Sequence, residues 1–242
     1  MNKKRKEFKR QNLSQSLNSS PWAVLGELVG VLFLIGLIFA AAYLTGSAFL
    51  ALLTVVGAWL AVWLTLWLRG RGWEEFGFQI PKSWGQILLV AVGGTLLIHM
   101  LMSFILKPFI TQLTGESVDI SRFDPVRGNL VYLLMGLSVV WTLAAFGEEM
   151  VFRGYLLNRI ADLFKNRYTG WAVGLIVSSI VFGLGHLYQG ISGAILAGFF
   201  GMVFALVYLV SGRNLWVPIL LHGFYDTSAF LILYFSLDKT VL

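Results

Sequence analysis

The chain is organised as long apolar runs separated by short polar segments. A helix that crosses a bilayer needs about 20 mostly apolar residues, and the sequence contains seven runs of that kind. They lie at Trp22–Leu44, Ala48–Leu68, Trp84–Phe109, Leu130–Phe152, Trp171–Tyr188, Ile191–Val210 and Leu215–Phe235. The pattern predicts an all-α fold, a polytopic membrane helical bundle of about seven transmembrane helices, within a range of six to eight.

Two segments depart from a simple straight span. The third run is long enough to tilt, or to break at Pro108, because proline removes a helical hydrogen bond. After the fourth run, the amphipathic sequence GYLLNRIADLFKNRY is typical of a helix that lies along a membrane interface. We therefore expect the residues from Gly154 to Tyr168 to lie at the cytoplasmic surface.

The distribution of basic residues predicts the orientation. Cytoplasmic segments carry an excess of Lys and Arg, and the first ten residues, MNKKRKEFKR, contain six of them. Residues 1–21 are interpreted as a basic cytoplasmic tail, and residues 22–242 as a single transmembrane domain whose C-terminus lies outside. The remaining basic residues then fall inside (Arg69, Arg71, Lys82, Arg159, Lys165, Arg167, Arg213) or outside (Lys107, Arg122, Arg127, Lys239).

Composition supports the membrane class and narrows the chemistry. Hydrophobic residues make up 57% of the chain and charged residues 12%, whereas a soluble domain carries about 25% charged residues. Cysteine is absent, which excludes disulfides, thiolate metal sites and cysteine nucleophiles. No folded basic domain accompanies the basic tail, so we expect the lipid bilayer as a partner and no nucleic acid.

Ionisable residues inside the predicted spans are few, and each charge at a helix centre costs about 2.5–3.5 kcal/mol. Such residues usually face the protein interior or a water-filled cavity. We interpret Glu27 as a snorkelling or cavity-lining acid and His99 as the source of an interhelical hydrogen bond. The others lie in the last part of the chain: Glu148, Glu149, Arg153, His186, His222 and Asp226.

The spacing of these residues separates two neighbouring glutamates. Glu149 and Arg153 are four residues apart, so they share a helix face and can form an ion pair. Glu148 is rotated by about 100° from that face, which leaves it without this partner and able to point into a cavity. His222 and Asp226 repeat the four-residue spacing on the last span.

A carboxylate and two imidazoles in a partly dry cavity are suited to general-base activation of water. The remaining donors can stabilise a developing oxyanion, so the set predicts hydrolysis of an amide within the membrane. Glu148, His186 and His222 could equally hold a divalent metal such as zinc, with a coordination position left for water. No H-E-x-x-H motif is present, and the sequence leaves the cofactor open.

Three motifs now carry a resemblance to a family. EEMVFR fits E-E-x-x-x-R, FGLGH fits F-x-x-x-H and HGFYD fits H-x-x-x-[N/D], in this order and on successive spans. Together they resemble the CAAX protease and bacteriocin-processing family (CPBP, or Abi) of intramembrane endopeptidases. The resemblance covers a catalytic core of about residues 130–235, and it implies a multi-pass protein, which we expect in a prokaryotic cell membrane.

The resemblance also implies roles for the residues. Glu148 would be the general base, holding a water together with His186. His222 and Asp226 would line the oxyanion side, and Glu149 with Arg153 would be a supporting pair. The substrate would be a membrane-associated peptide or a prenylated or lipid-embedded protein. The prenyl-protein proteases of the family carry Asn where this chain has Asp226, so Asp226 must be protonated, orient His222 or help to bind a metal.

Three other interpretations remain open. GISG, residues 190–193, resembles the motif of rhomboid-like serine proteases, with Ser192 as nucleophile and His222 as base. Acid–histidine chains also act as proton relays in transporters. The chain could also be a non-catalytic membrane partner, such as an immunity protein. For the main interpretation we expect a cavity that opens towards the cytoplasm or laterally to lipid, with the fifth helix beginning near Tyr168 or tilting strongly, so that His186 reaches the depth of His222.

Overall fold

A computed structural model describes residues 20–237 of the protein, apart from the side chains of residues 48, 49 and 51. In that range the chain forms seven main helices and no strand: α1 (Pro21–Thr45), α2 (Ala48–Leu68), α3 (Trp84–Thr114), α4 (Leu130–Ala161), α5 (Arg167–Leu184), α6 (Gly190–Val210) and α7 (Trp216–Tyr234). Short 3-10 turns lie in the connections, at Trp73–Phe76, Ser121–Val126 and Leu187–Gln189. The predicted basic tail lies outside the described residues, except for its last two.

The helices confirm the predicted fold class. Six helices in the described part of the chain are long and apolar enough to cross a membrane, and α2 contributes a shorter apolar helix, Leu52–Leu68. The protein is therefore an integral, multi-pass membrane protein. Its assignment to a prokaryotic cell membrane stays a prediction.

The third helix passes Pro108 without breaking. Residues Met102–Leu106 form a π-helical turn, and regular α-helix resumes from Lys107 to Thr114. A π turn pairs each amide with the carbonyl five residues earlier. It therefore relieves the clash that a proline ring makes with the carbonyl four residues before it, here that of Phe104.

The segment after Phe152 does not lie along the interface as the amphipathic pattern predicted. It continues α4 to Ala161 and is buried, because its polar face finds protein partners. The Asn158 side chain bonds the Tyr208 hydroxyl at 2.9 Å, and Arg159 forms an ion pair with Asp162 at 2.5 Å. The apolar face packs on α1 and α2 in a cluster of Val24, Leu28, Val62, Leu66, Phe76, Tyr155, Leu156 and Ile160.

The fifth helix begins at Arg167, four residues before the predicted Trp171. Asn166 caps it, because its side-chain oxygen accepts hydrogen bonds from the backbone amides of Tyr168 and Thr169 at 3.0 and 3.2 Å. This early start fulfils one of the two conditions under which His186 was expected to reach the depth of His222.

The connections gather at two ends of the bundle. One end, called here the basic end, comprises residues 69–83, 159–167 and 211–215, joined by contacts such as Arg71 to Asp162 and Leu215 N–H to the Gly77 carbonyl. The opposite end comprises residues 115–129, 184–191 and 234–237. There the amide of Asp119 bonds the carbonyl of Gln189 at 3.0 Å.

Glu27 is part of a buried ionic cluster at the basic end. Its carboxylate forms an ion pair with Arg69, lies 3.4 Å from the guanidinium of Arg159 and accepts a 2.6 Å hydrogen bond from the Tyr155 hydroxyl. The cluster joins α1, α2 and α4. A structural ion pair therefore explains Glu27, in place of the snorkelling or cavity-lining acid that the sequence predicted.

Candidate active site

The candidate residues lie on α4, on α7 and, for His186, in the turn just after the end of α5 rather than on the predicted fifth span. Of these elements, α4 is unusually wound. α4 is π-helical from Val140 to Glu148 and again from Met150 to Leu157. π-helical turns are rare and occur frequently at functional sites. The two glutamates stand at the junction of these two stretches, where they point in different directions.

Glu149 is the centre of a buried ionic triad. Its Oε1 atom accepts hydrogen bonds from Arg153 Nη1 at 2.8 Å and from His222 Nδ1 at 3.0 Å. The other amino group of Arg153 donates to the Gly201 carbonyl at 2.9 Å. Glu149 is 0% exposed. The pair predicted from spacing is thus present, and it ties α4 to α6 and α7.

His222 lies between two carboxylates. While Nδ1 faces Glu149, Nε2 lies 3.3 Å from Asp226 Oδ2, one turn further along α7. That separation is just beyond the usual range of about 2.7–3.2 Å for an N–H···O hydrogen bond. Of the three roles considered for Asp226, the geometry favours orientation of His222.

His186 stands at the end of α5 with a defined tautomer. Its Nδ1 atom lies 2.8 Å from the Phe182 carbonyl. A carbonyl oxygen can only accept, so Nδ1 must carry the proton, and in the neutral ring Nε2 then keeps a lone pair. The F-x-x-x-H spacing thus fixes which nitrogen of His186 is available as an acceptor.

Glu148 is the one member of the set without a hydrogen bond or ion pair inside residues 20–237. Its carboxyl group lies within electrostatic range of His186, His222, Asp226 and Glu149, and its side chain is half-buried. The fold therefore brings the four predicted catalytic residues together, and it leaves the carboxyl group of Glu148 uncommitted.

Tyr188 also reaches this group, and the sequence analysis missed it. Its hydroxyl lies in electrostatic range of Glu148 and Asp226, and its ring lies 5.8 Å from that of His186. The Arg122 guanidinium stands 4.5 Å from the centre of the Tyr188 ring. Tyr188 follows His186 by only two residues, but a tyrosine close to a membrane interface is too common to signal a site.

The site is more exposed towards the opposite end than towards the basic end. From Glu149 through His222 to Asp226, the exposed fraction of the side chain rises from 0% to 7% and then to 27%. On the other side, Phe78 from the basic end packs against Phe146 at 5.6 Å and Trp216 at 5.0 Å. These rings lie between the basic end and Phe146, which precedes Glu148 by two residues.

This direction differs from the first of the two expected openings, the one towards the cytoplasm, and the lateral opening to lipid stays a prediction. A cavity of about 240 Å³ does lie at the basic end, but none of the four predicted catalytic residues lines it. The site is less exposed towards the basic end because the loop from Trp73 to Phe78 folds into the bundle there. A hydropathy pattern does not reveal this inward fold.

The donor set does not fit a metal as it is arranged. Both ring nitrogens of His222 face carboxylates, and Nδ1 of His186 faces a carbonyl. Within residues 20–237, no group of three His, Asp or Glu side chains is placed to hold a metal ion. A site formed by Glu148, His186 and His222 would require the His222 ring to leave one of its carboxylates.

Two other predicted residues have structural partners. The Ser192 hydroxyl is buried and contacts the Glu116 carbonyl and the Thr114 hydroxyl, each at 2.6 Å. Both ring nitrogens of His222 are engaged elsewhere, so this arrangement does not favour the pair of Ser192 and His222 that a serine protease requires. His99 bonds the Ser228 hydroxyl at 2.5 Å, which agrees with the predicted interhelical hydrogen bond.

Comparisons with known proteins agree with the motif-based interpretation. Residues 130–228 match a family model described as Type II CAAX prenyl endopeptidase Rce1-like. The "Uncharacterized 24.3 kDa protein" of Escherichia coli is 27% identical to this chain over 146 residues, which is 59% of each of the two chains. No solved structure gives a significant match. The family match contains all three motifs and confirms the resemblance to the CAAX protease family.

Proposed function

We propose that the Rce1-like segment of this chain forms the active site of an intramembrane endopeptidase. It would hydrolyse a peptide bond in a membrane-associated peptide or in a prenylated or otherwise lipid-embedded protein. The family match supports a protease of the CAAX type. The observation that carries the proposal is the contrast between two neighbouring acids. Glu149 is buried and bonded through Oε1 to Arg153 and His222, whereas Glu148 has electrostatic neighbours but no hydrogen bond or ion pair within residues 20–237.

In the proposed reaction, Glu148 and His186 hold the attacking water. The water donates one hydrogen to the lone pair on His186 Nε2 and the other to the Glu148 carboxylate. Glu148 removes that proton as the water oxygen attacks the carbonyl carbon of the scissile amide. A positioned base of this kind contributes roughly 10²–10⁴-fold to a rate.

His222 supports the charge that develops on the substrate oxygen. Its Nε2 contact with Asp226 is the weaker of its two contacts, so this N–H can be shared with an incoming oxyanion. Glu149 and Arg153 hold the His222 ring in place through its other nitrogen. Asp226 would keep the Nε2 proton directed at the site, although its own charge repels an oxyanion.

The reaction closes when Glu148 passes its proton to the leaving nitrogen. The carbon–nitrogen bond then breaks, and the products are a carboxylic acid and an amine, with Glu148 again ionised; the acid then gives up its own proton, which the amine can accept. The side chains of the chain supply each of these proton transfers. The family resemblance and the position of the site inside the helical bundle support the proposed substrate class.

The proposal is tested by comparing peptide termini. Membranes from cells that express the wild type, Glu148→Gln or the control Glu75→Gln, an exposed acid at the basic end, are mapped by mass spectrometry for new N- and C-termini. We expect termini that occur with the wild type and the control but not with Glu148→Gln. Identical termini in all three samples would overturn the proposal.

A further inference from the structure

The cavity at the basic end carries an excess of positive charge, because among residues 20–237 three basic side chains and only one acidic side chain line it. Among its lining residues are Lys165, Arg167 and Arg213, and one acid, Asp162. Asp162 is already paired with Arg159 at 2.5 Å and with Arg71 at 3.3 Å. Within the described residues, Lys165 has no hydrogen bond or ion pair, and Arg167 has only a contact with Trp171, whose ring centre is 5.2 Å away.

Arg213 is held in this cavity by its backbone. It is one of two non-glycine residues with positive φ in the described chain, at 62°, a conformation that is uncommon for a long side chain. The close approach of Gly77 fixes the turn, because a Cβ at Gly77 would lie 1.8 Å from the Arg213 carbonyl oxygen. The guanidinium also reaches the buried Asn158, at 3.4 Å from its side-chain oxygen.

The surroundings place the cavity at the level of lipid headgroups. Trp171 forms part of its wall, and the ring of Tyr168, which is 81% exposed, lies 6.1 Å from the Trp171 ring. Tryptophan and tyrosine concentrate at membrane–water interfaces. The basic residues of this end predict that it faces the cytoplasm, where anionic lipids are enriched and where basic pockets between helices bind their headgroups.

We propose that this cavity is a binding site for a phosphate group, in the first place that of an anionic lipid headgroup, with Lys165, Arg167 and Arg213 as its cationic ligands. The site is separate from the proposed active site, since the cavity is lined by none of Glu148, His186, His222 and Asp226. The shared chemistry is the phosphate anion, which a lipid or a soluble phosphate can supply.

The test uses the full chain purified in detergent, with bound lipid counted by native mass spectrometry. Phosphatidylglycerol and phosphatidylcholine are compared as probes for the wild type and for Lys165→Gln, Arg167→Gln and Arg213→Gln. Each basic residue near an anionic headgroup contributes roughly fivefold to binding, so we expect about a fivefold loss of phosphatidylglycerol retention for each variant. Lys82→Gln, an exposed lysine of the same end, is the matched control and should retain the wild-type level.

A second arm distinguishes the source of the phosphate. Inorganic phosphate is titrated into the lipid-free protein, and its binding is measured by calorimetry in the wild type and in Lys165→Gln. Phosphate binding that depends on Lys165, with no preference for phosphatidylglycerol over phosphatidylcholine, would support a soluble phosphate as the ligand. Equal retention of both lipids in the wild type, the three variants and the control, together with no phosphate binding that depends on Lys165, would overturn the proposal. The Lys165 and Arg167 variants keep the test valid if Arg213→Gln fails to fold.

Discussion

Glu149 occupies a position where the loss of charge should affect stability before it affects chemistry. Its carboxylate is the shared acceptor of Arg153 and His222 in a fully buried site. Removing one partner of a buried pair costs about 3–5 kcal/mol, because the other charge stays buried. We expect Glu149→Gln to lower the free energy of unfolding by that amount, measured by thermal unfolding of the purified protein.

Glu75→Gln is the matched control for that measurement. Glu75 forms an exposed pair with Arg71 at 3.6 Å, and such pairs contribute about 0–1 kcal/mol. A loss at Glu149 no larger than the loss at Glu75 would show that the triad does not hold the bundle together.

Ser192 provides a separate test at the same scale. Its hydroxyl satisfies a backbone carbonyl and the Thr114 hydroxyl, so Ser192→Ala should cost about 1 kcal/mol of stability and leave proteolysis unchanged. Activity and unfolding temperature are measured on the same preparation. Loss of cleavage with unchanged folding would support the serine protease interpretation instead.

Sequence reasoning at the residue scale succeeded where partners are close in the chain. The four-residue spacing of Glu149 and Arg153 predicted their pair, and the same spacing predicted that His222 and Asp226 meet. The contact of His222 with Glu149 joins residues 73 positions apart. No local pattern specifies such a contact, because it depends on how α7 packs against α4.

At the scale of elements, glycine allows α5 and α6 to approach each other near the site. A Cβ at Gly183, within the FGLGH motif, would lie 2.6 Å from the Ala194 carbonyl oxygen and 3.1 Å from the Gly198 Cα. These neighbours are backbone atoms and cannot turn aside. We expect Gly183→Ala to cost about 1–3 kcal/mol of stability and to reduce cleavage by displacing His186.

Gly93→Ala is the control for Gly183→Ala, because nothing lies within 4 Å of a Cβ at that position in α3. Alanine is favoured over glycine in a helix by up to about 1 kcal/mol, so this variant should be neutral or slightly stabilised in the same unfolding assay. Equal effects of the two substitutions would argue against close packing of α5 on α6.

The lengths of the elements were predictable, and their winding was not. Apolar runs report which residues prefer lipid or core, and they located every main helix to within a few residues except the end of α4. The π-helical stretches depend on hydrogen-bond register, which hydrophobic periodicity does not resolve. The start of α5 could have been predicted, because Asn166 is a typical N-cap residue.

At the scale of the whole molecule, the site is predicted to be reached from the opposite end. The chain has no cysteine, so single cysteines can report on sidedness without background. Gln189→Cys, close to His186, and Ser121→Cys, in the loop of the opposite end, should react together with a membrane-impermeant maleimide. Lys82→Cys, at the basic end, should react only from the other side.

The orientation itself is read from the same experiment. Because the basic end is expected to face the cytoplasm, intact cells should label the cysteines at 121 and 189 and protect the cysteine at 82. If Gln189→Cys were labelled from the same side as Lys82→Cys, the active site would be open to the basic end. That result would contradict the greater exposure of the site towards the opposite end. The family motifs alone could not have predicted this direction, because it depends on the inward fold of the loop from Trp73 to Phe78.

The role of Glu148 is tested most sharply by the cleavage rate of Glu148→Gln on a peptide that spans a mapped cleavage site, with the unfolding temperature of the variant measured alongside. Glu148 makes no hydrogen bond or ion pair within the described residues, so we expect an unchanged unfolding temperature and a rate lower by about 10²–10⁴-fold. A rate within a few-fold of the wild type, in a folded variant, would contradict the proposal that Glu148 is the general base.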